Sequence, residues 1–101
     1  MRLITRKRLK QAAAVHPRAK PKLNHWERIT RAASWKDLNQ TRATFPHADP
    51  VTVKSGRKVI VFNIANDFRL ITAIHFNLGR IFILKFLTHA EYSKDLWRND
   101  L

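Results

Sequence analysis

Hydrophobic and polar positions change rhythm halfway along the chain. From Thr5 to Val15, Leu9, Ala12 and Ala13 fall along one side of a helix to which Lys10 adds its aliphatic stem; Thr5 is placed as N-cap and Pro17 as stop. Beyond Pro17 and Pro21, the stretch from Leu23 to Trp35 sets Leu23, Trp26, Ile29 and Ala33 at helical spacing, with Lys22, Arg28 and Arg31 elsewhere on the surface. A short third helix is expected from Asp37, its cap, to Phe45, just before Pro46. From His47 to Ser55 the chain reads as a loop with a brief extended piece at Val51–Val53, followed by a turn at Ser55-Gly56.

The second half alternates with a period of two. Lys58 to Ile64, Phe68 to Phe76 and Arg80 to Leu87 are rich in Val, Ile and Phe and are separated by Ala65-Asn66-Asp67 and Asn77-Leu78-Gly79, which predicts an antiparallel meander. Even-numbered positions from Ile60 through Phe62, Ile64, Phe68, Leu70, Ile74, Phe76, Phe82 and Leu84 to Phe86 form one apolar face, against which the first two helices must pack. Thr88-His89-Ala90-Glu91 is a capping box that opens a short helix reaching about to Trp97. The fold class is therefore α+β: N-terminal helices on one face of a three- to four-stranded antiparallel sheet, with a short C-terminal helix. With 101 residues, of which 45% are apolar, a single domain spanning 1–101 is expected.

Charge changes the picture more than composition does. Twenty Lys and Arg against seven Asp and Glu give +13, spread along the chain, which implies a polyanionic partner. An anionic membrane would call for a basic amphipathic helix or a lipidation site, whereas the strongest apolar segments read as strands, so nucleic acid leads. There is no cysteine, hence no disulfide, thiol nucleophile or Cys-based zinc site, and a reducing cytoplasm is the expected compartment. Neither a signal peptide nor a membrane span is expected from the charged opening Met-Arg-Leu-Ile-Thr-Arg-Lys-Arg.

The odd-numbered face of the meander holds Asn63, Arg69, His75 and Lys85 among apolar neighbours. If both connections are three residues long, Phe76 faces Arg80, Asn63 faces Arg69, and Arg69 faces Leu87, two residues before His89. Asn63, Arg69, Lys85 and the start of the last helix then share one corner of the sheet, joined by Tyr92, three residues from His89. Free amides at that helix start favour a phosphate and a neutral imidazole. A metal-independent ribonuclease uses the RNA 2′-hydroxyl as nucleophile and needs a base, a proton donor to the leaving 5′-oxygen and cations for the developing charge, roles that His89, Tyr92, Arg69 and Lys85 can fill. Seven scattered acids offer no carboxylate cluster for magnesium, so neither metal nor cofactor is expected. Taken alone, Lys85 reads equally well as a solvated strand lysine and His75 better as a structural group. Trp26 and Trp35 read as packing residues, and His16, His25 and His47 carry no assignment.

Three runs carry a family resemblance: Val-Phe-Asn-Ile-Ala-Asn-Asp-Phe-Arg-Leu-Ile from Val61, then Ile-His-Phe, then Leu-Thr-His-Ala-Glu-Tyr-Ser-Lys to Lys94. With the opening Arg-Leu-Ile-Thr-Arg-Lys-Arg-Leu and the Phe45-Pro46 break, the sequence resembles the HigB toxins of bacterial toxin–antitoxin pairs. The resemblance implies a RelE-like fold, cleavage of messenger RNA on the translating ribosome, and silencing by a HigA-type antitoxin. It points to Asn63, Arg69, His89 and Tyr92 as active-site positions, and the sequence departs from the family's usual Asp at Ser93. Arg6, Lys7, Arg8 and Lys10, with Arg57, Lys58 and Lys94, are assigned to RNA backbone and ribosomal RNA contact. Two other readings stay open: a ParE-like gyrase poison of the same fold class, and a basic module that binds nucleic acid without cutting it. A gyrase supercoiling assay separates the first; alanine at His89 or Tyr92, which in a nuclease ends growth arrest but not RNA affinity, separates the second.

Overall fold

Trp26, Leu23, Leu9 and Ala12 recur every three or four residues on two helices and must share one apolar surface. In the structure, a computed structural model describing residues 1–101, they do. Helix α1 spans Lys7–Val15 and α2 spans Lys20–Ala32, linked by a 3₁₀ turn at Pro17–Ala19. Pro21 lies in the first turn of α2, where its missing N–H costs nothing, so the helix starts three residues earlier than the apolar pattern suggests. It ends at Ala32, leaving Trp35 beyond it. Helix α3, Leu38–Thr44, is capped by Asp37, whose Oδ1 accepts from the Gln40 amide at 2.9 Å.

The sheet has five strands, not three or four: β1 Arg2–Ile4, β2 Asp49–Thr52, β3 Lys58–Ile64, β4 Phe68–His75 and β5 Arg80–Thr88, in the order β1-β5-β4-β3-β2. The wholly antiparallel expectation fails at β1, which runs parallel to β5 with Leu3 opposite Ile81. Three residues carry no readable period, although Leu3 is buried. Thr5 does not cap α1. It adopts φ 65°, and its hydroxyl donates to the Ile83 carbonyl at 3.0 Å and accepts from the Ile83 amide at 3.2 Å, carrying the β1–β5 pairing one step past Ile4.

The apolar face against the helices contains Ile60, Phe62, Ile64, Phe68 and Leu70, as the period-two pattern predicts. At its centre Phe62 meets Trp26 and Phe45 edge-on, with centroids 5.3 and 5.5 Å away. On β5 the pattern is displaced, because Ile81 and Ile83 enter this core, whereas Phe82 meets His75 at 5.1 Å and Leu84 packs on the opposite side. The cause is a compensated register. His75, not Phe76, faces Arg80, because the β4–β5 connection is four residues long and closes on Gly79 at φ 63°. Continued without interruption, that register would set Arg69 opposite Phe86. Instead, Ile71 pairs with Lys85 and Thr72 with Ile83, leaving Leu84 as the extra residue of a bulge, and Arg69 returns opposite Leu87.

The other face of the sheet is not open. Val51, Val53, Val59, Val61 and Ile71 form a second core with Trp97, which is 4% exposed. After helix α4, His89–Ser93, the chain turns through Asp95 at φ 61° into a 3₁₀ turn, Leu96–Asp100, and lies back across the strands. It is fastened by the Lys54 amide to the Arg98 carbonyl at 3.1 Å and by the Ser55 hydroxyl to the Leu101 carbonyl at 2.6 Å. No helix is long and apolar enough to cross a membrane.

Candidate active site

The β3–β4 turn and the end of β5 meet at one corner of the sheet. There Asn63 faces Arg69 and Arg69 faces Leu87, the two pairs that strand pairing predicts. Arg69 Nη1 donates to the carbonyls of Asn66 at 3.1 Å and Phe68 at 2.8 Å, which fixes the guanidinium against its own turn. Its Cζ lies 5.9 Å from the centre of the Tyr92 ring, Tyr92 stacks on Trp97 with centroids 5.3 Å apart, and Arg98 covers Trp97 at 5.5 Å. This column of two cations and two rings carries the phenol from α4 to Arg69. Burial pushes the Tyr92 hydroxyl above its ordinary range, with the Asp49 and Asp95 carboxylates adding and the Arg98 and Arg69 charges opposing, so Tyr92 stays a neutral proton donor.

His89 is exposed at the start of α4, and its amide donates to the Asp67 carbonyl at 2.7 Å, tying the helix to the β3–β4 turn. The capping box forms in full: the Glu91 amide donates to the Thr88 hydroxyl at 3.2 Å and the Thr88 amide to Glu91 Oε1 at 2.9 Å. The Glu91 carboxyl is accordingly held below the usual carboxylate range, first by the Thr88 amide, against some burial, with the Thr88 hydroxyl and the charges of His16 and Lys94 adding. The amides of His89 and Glu91, expected to be free for a phosphate, are thus engaged, and side chains must do that work.

Asn63 lies opposite Arg69, Tyr92 faces the Arg69 guanidinium and the His89 backbone is tied to the same turn, whereas Lys85 is engaged by Asp100. The lysine ammonium pairs with Asp100 Oδ2 at 3.3 Å on the rim of a cleft of about 330 Å³ that Lys94 and Trp97 also line. Of the basic residues assigned to RNA, Lys7 and Lys10 are exposed on α1, but Arg6 is paired with Glu27 at 3.0 Å and Arg8 Nη1 holds the carbonyls of Ile83 and Leu84 at 3.0 and 2.8 Å. Arg57 and Lys58 are exposed at the far end of β3, about 17 Å from Asn63 at ~3.4 Å per residue. Sequence reasoning missed Trp97, Asp100, Asp49 and His16, none of which lies in a periodic segment that aims it at the corner. No three His, Asp or Glu side chains gather closely enough to share a metal ion.

Residues 19–95, which contain the whole corner, match the HigB_toxin family, described as the RelE-like toxic component of a toxin–antitoxin system. The chain belongs to the HigB toxin family. It is 32% identical over 93 residues to the mRNA interferase toxin HigB of Escherichia coli strain K12, covering 91% of this chain and 88% of that HigB. The same figures hold for the mRNA interferase HigB of Escherichia coli O157:H7 and of Shigella flexneri. Helices packed on one face of a mostly antiparallel sheet agree with the RelE-like fold of HigB toxins.

Proposed function

We propose that this chain is an endoribonuclease that cuts messenger RNA on the translating ribosome in the cytoplasm, using neither metal nor cofactor, and that a HigA-type antitoxin silences it. The carrying observation is the match along 91% of the chain to relatives named mRNA interferases; the pairing of Asn63 with Arg69 and the approach of Arg69 to Tyr92 support the choice of site. In this reading the RNA 2′-hydroxyl attacks the adjacent phosphorus, the bond to the 5′-oxygen breaks, and a 2′,3′-cyclic phosphate and a 5′-hydroxyl result. Arg69, whose Nε and Nη2 make no hydrogen bond within the protein, grips the phosphate and stabilises the charge that develops on it. His89 takes the nucleophile's proton, the neutral Tyr92 phenol donates a hydrogen bond to the phosphorane, Asn63 orients the nucleotide, and a second acid or a solvent molecule gives the departing 5′-oxygen its proton. Lys85 contributes once RNA competes with Asp100 for its ammonium. The +13 surface, Lys7, Lys10, Arg57, Lys58 and Lys94 among it, supplies sequence-independent contacts to ribosomal RNA.

The test is expression in bacteria with message ends mapped on and off ribosomes, alone and beside the neighbouring antitoxin. Growth arrest with cuts confined to translated messages is expected, and rescue on co-expression. Arrest without cleavage, or no arrest, would sink this reading.

A further inference from the structure

We propose that His16 is a second catalytic imidazole of the same corner, donating the proton to the leaving 5′-oxygen while His89 accepts one from the 2′-hydroxyl. This rests on the ribonuclease reading above. His16 ends α1, and its ring sits on two aromatic rings of the sheet, 5.1 Å from Phe68 and 5.8 Å from Phe86. Those two rings are themselves stacked at 5.2 Å, which fixes the platform under the imidazole. Phe68 pairs with Thr88, the residue before His89, and its own carbonyl is held by Arg69, so the platform is the back of the Arg69 turn. His16 therefore approaches the Phe68–Thr88 end of the sheet on the helix face, Arg69 and Tyr92 lie at that end on the opposite face, and His89 follows Thr88 at the start of α4.

The His16 ring is partly exposed at the edge of a cleft of about 280 Å³ that Arg8, Gln11, Lys85 and Phe86 also line. Glu91 lies within electrostatic reach and supplies a counter-charge, while Lys94, on the same side of α4, and Arg8 and Lys85, across the cleft, oppose it. Arg18, two residues on, forms an exposed pair with Asp67 at 3.0 Å, and the Asp67 carbonyl accepts the His89 amide. Protons balance across the step: the neutral His89 ring gains the one leaving the 2′-oxygen, the protonated His16 ring loses one to the 5′-oxygen as that bond to phosphorus breaks, and solvent restores both.

Single-turnover cleavage on ribosomes, measured against pH, tests this with His16→Gln and with His16→Phe, which keeps a ring on Phe68 and Phe86 but carries no proton. Loss of a general acid costs on the order of 10²–10⁴-fold in rate. Both variants should lose that much, with ribosome affinity changed little and the alkaline limb of the parent's pH–rate profile absent. His16→Phe cutting at the parent rate, or keeping both limbs, would show that the ring only packs. The parent itself gives a second readout: a 2′-deoxy dinucleotide should shift the ring resonances of both His16 and His89, and a shift of His89 alone overturns the proposal. A parent that cuts no RNA defeats the ribonuclease reading and this one together; a cutting parent with an equally active His16→Phe defeats this one only.

Discussion

The guanidinium of Arg69 lies 5.9 Å from the centre of the Tyr92 ring while its Nη1 holds the carbonyls of Asn66 and Phe68. One side chain thus braces the β3–β4 turn and faces the phenol, and the two duties can be separated by measurement. Arg69→Ala should lose far more cleavage than binding, roughly a hundred- to thousandfold in rate, or about 2.7–4 kcal/mol, as for a donor to a developing anion. Lys7→Ala and Lys10→Ala, exposed on α1, should weaken ribosome binding mildly and leave the chemical step nearly alone. Single-turnover assays at saturating ribosome decide. An Arg69→Ala protein that cuts at the parent rate while a Lys10→Ala protein does not would move the active site to α1.

Arg8 belongs to a different class from Lys7 and Lys10, although all three stand on the same basic helix. Because its guanidinium satisfies the Ile83 and Leu84 carbonyls, Arg8→Ala should cost about 1–2 kcal/mol of stability, within the range for stranding a partly buried acceptor. Urea unfolding reads this directly. Lys7→Ala should leave the midpoint within error, and an unchanged midpoint for Arg8→Ala would mean that water replaces the guanidinium without penalty.

Tyr92 is the one tyrosine in the chain, so tyrosinate absorbance reports on it alone. Burial, with Asp49 and Asp95, disfavours its ionisation, so the folded chain keeps the proton to higher pH than the unfolded chain does. Stability from this source is present below the ordinary value of about 10 and is lost as pH rises through and beyond it. An alkaline titration should place the folded phenol above that value, and Tyr92→Phe should flatten the alkaline fall in stability. A midpoint at or below the value seen in urea would contradict the burial at this corner.

Trp97 should matter as much to the corner as to the core it fills. Trp97→Ala removes a buried ring at a typical cost of about 3–5 kcal/mol and takes away the support under Tyr92. Trp97→Phe keeps a ring there and gives up the bond from Nε1 to the Tyr92 carbonyl at 3.1 Å, for about 0.5–1.5 kcal/mol. Thermal unfolding and cleavage should both rank parent, Phe, Ala. Full cleavage by a folded Trp97→Ala protein would mean that Tyr92 needs no backing.

Where a segment's own residues decide its structure, the sequence was readable. Asp37 caps α3, Thr88 and Glu91 cap α4, and Lys58–Ile64 is the strand its alternation predicts. The pairing of Arg69 with Asn63 was equally legible, since a three-residue turn leaves little choice. Its pairing with Leu87 was anticipated from a three-residue connection that does not exist, and it holds because the bulge at Leu84 offsets the longer one. That bulge is invisible in Ile81-Phe82-Ile83-Leu84, four apolar residues that satisfy either face. Strand β1 is too short to show a period, and the second core depends on Trp97 meeting valines more than thirty-five residues earlier, which no local window contains. Lys85 illustrates the same limit at the site: its alternation puts it on the right face, but only the fold brings Asp100 to its ammonium.

The parallel pairing of β1 with β5 stops at Phe82, so from Lys85 to Leu87 the strand has no neighbour strand on its outer side. A bare strand edge is a template for another chain. Thr5 and Arg8 occupy the bonding positions at Ile83 and Leu84, leaving a short edge that the mutual repulsion of copies carrying +13 keeps apart at low ionic strength. Salt strong enough to release the protein from RNA also screens that repulsion. Self-association is therefore to be looked for under the conditions that strip nucleic acid from the protein during purification, with growth of sheet from the Phe86 edge as its route.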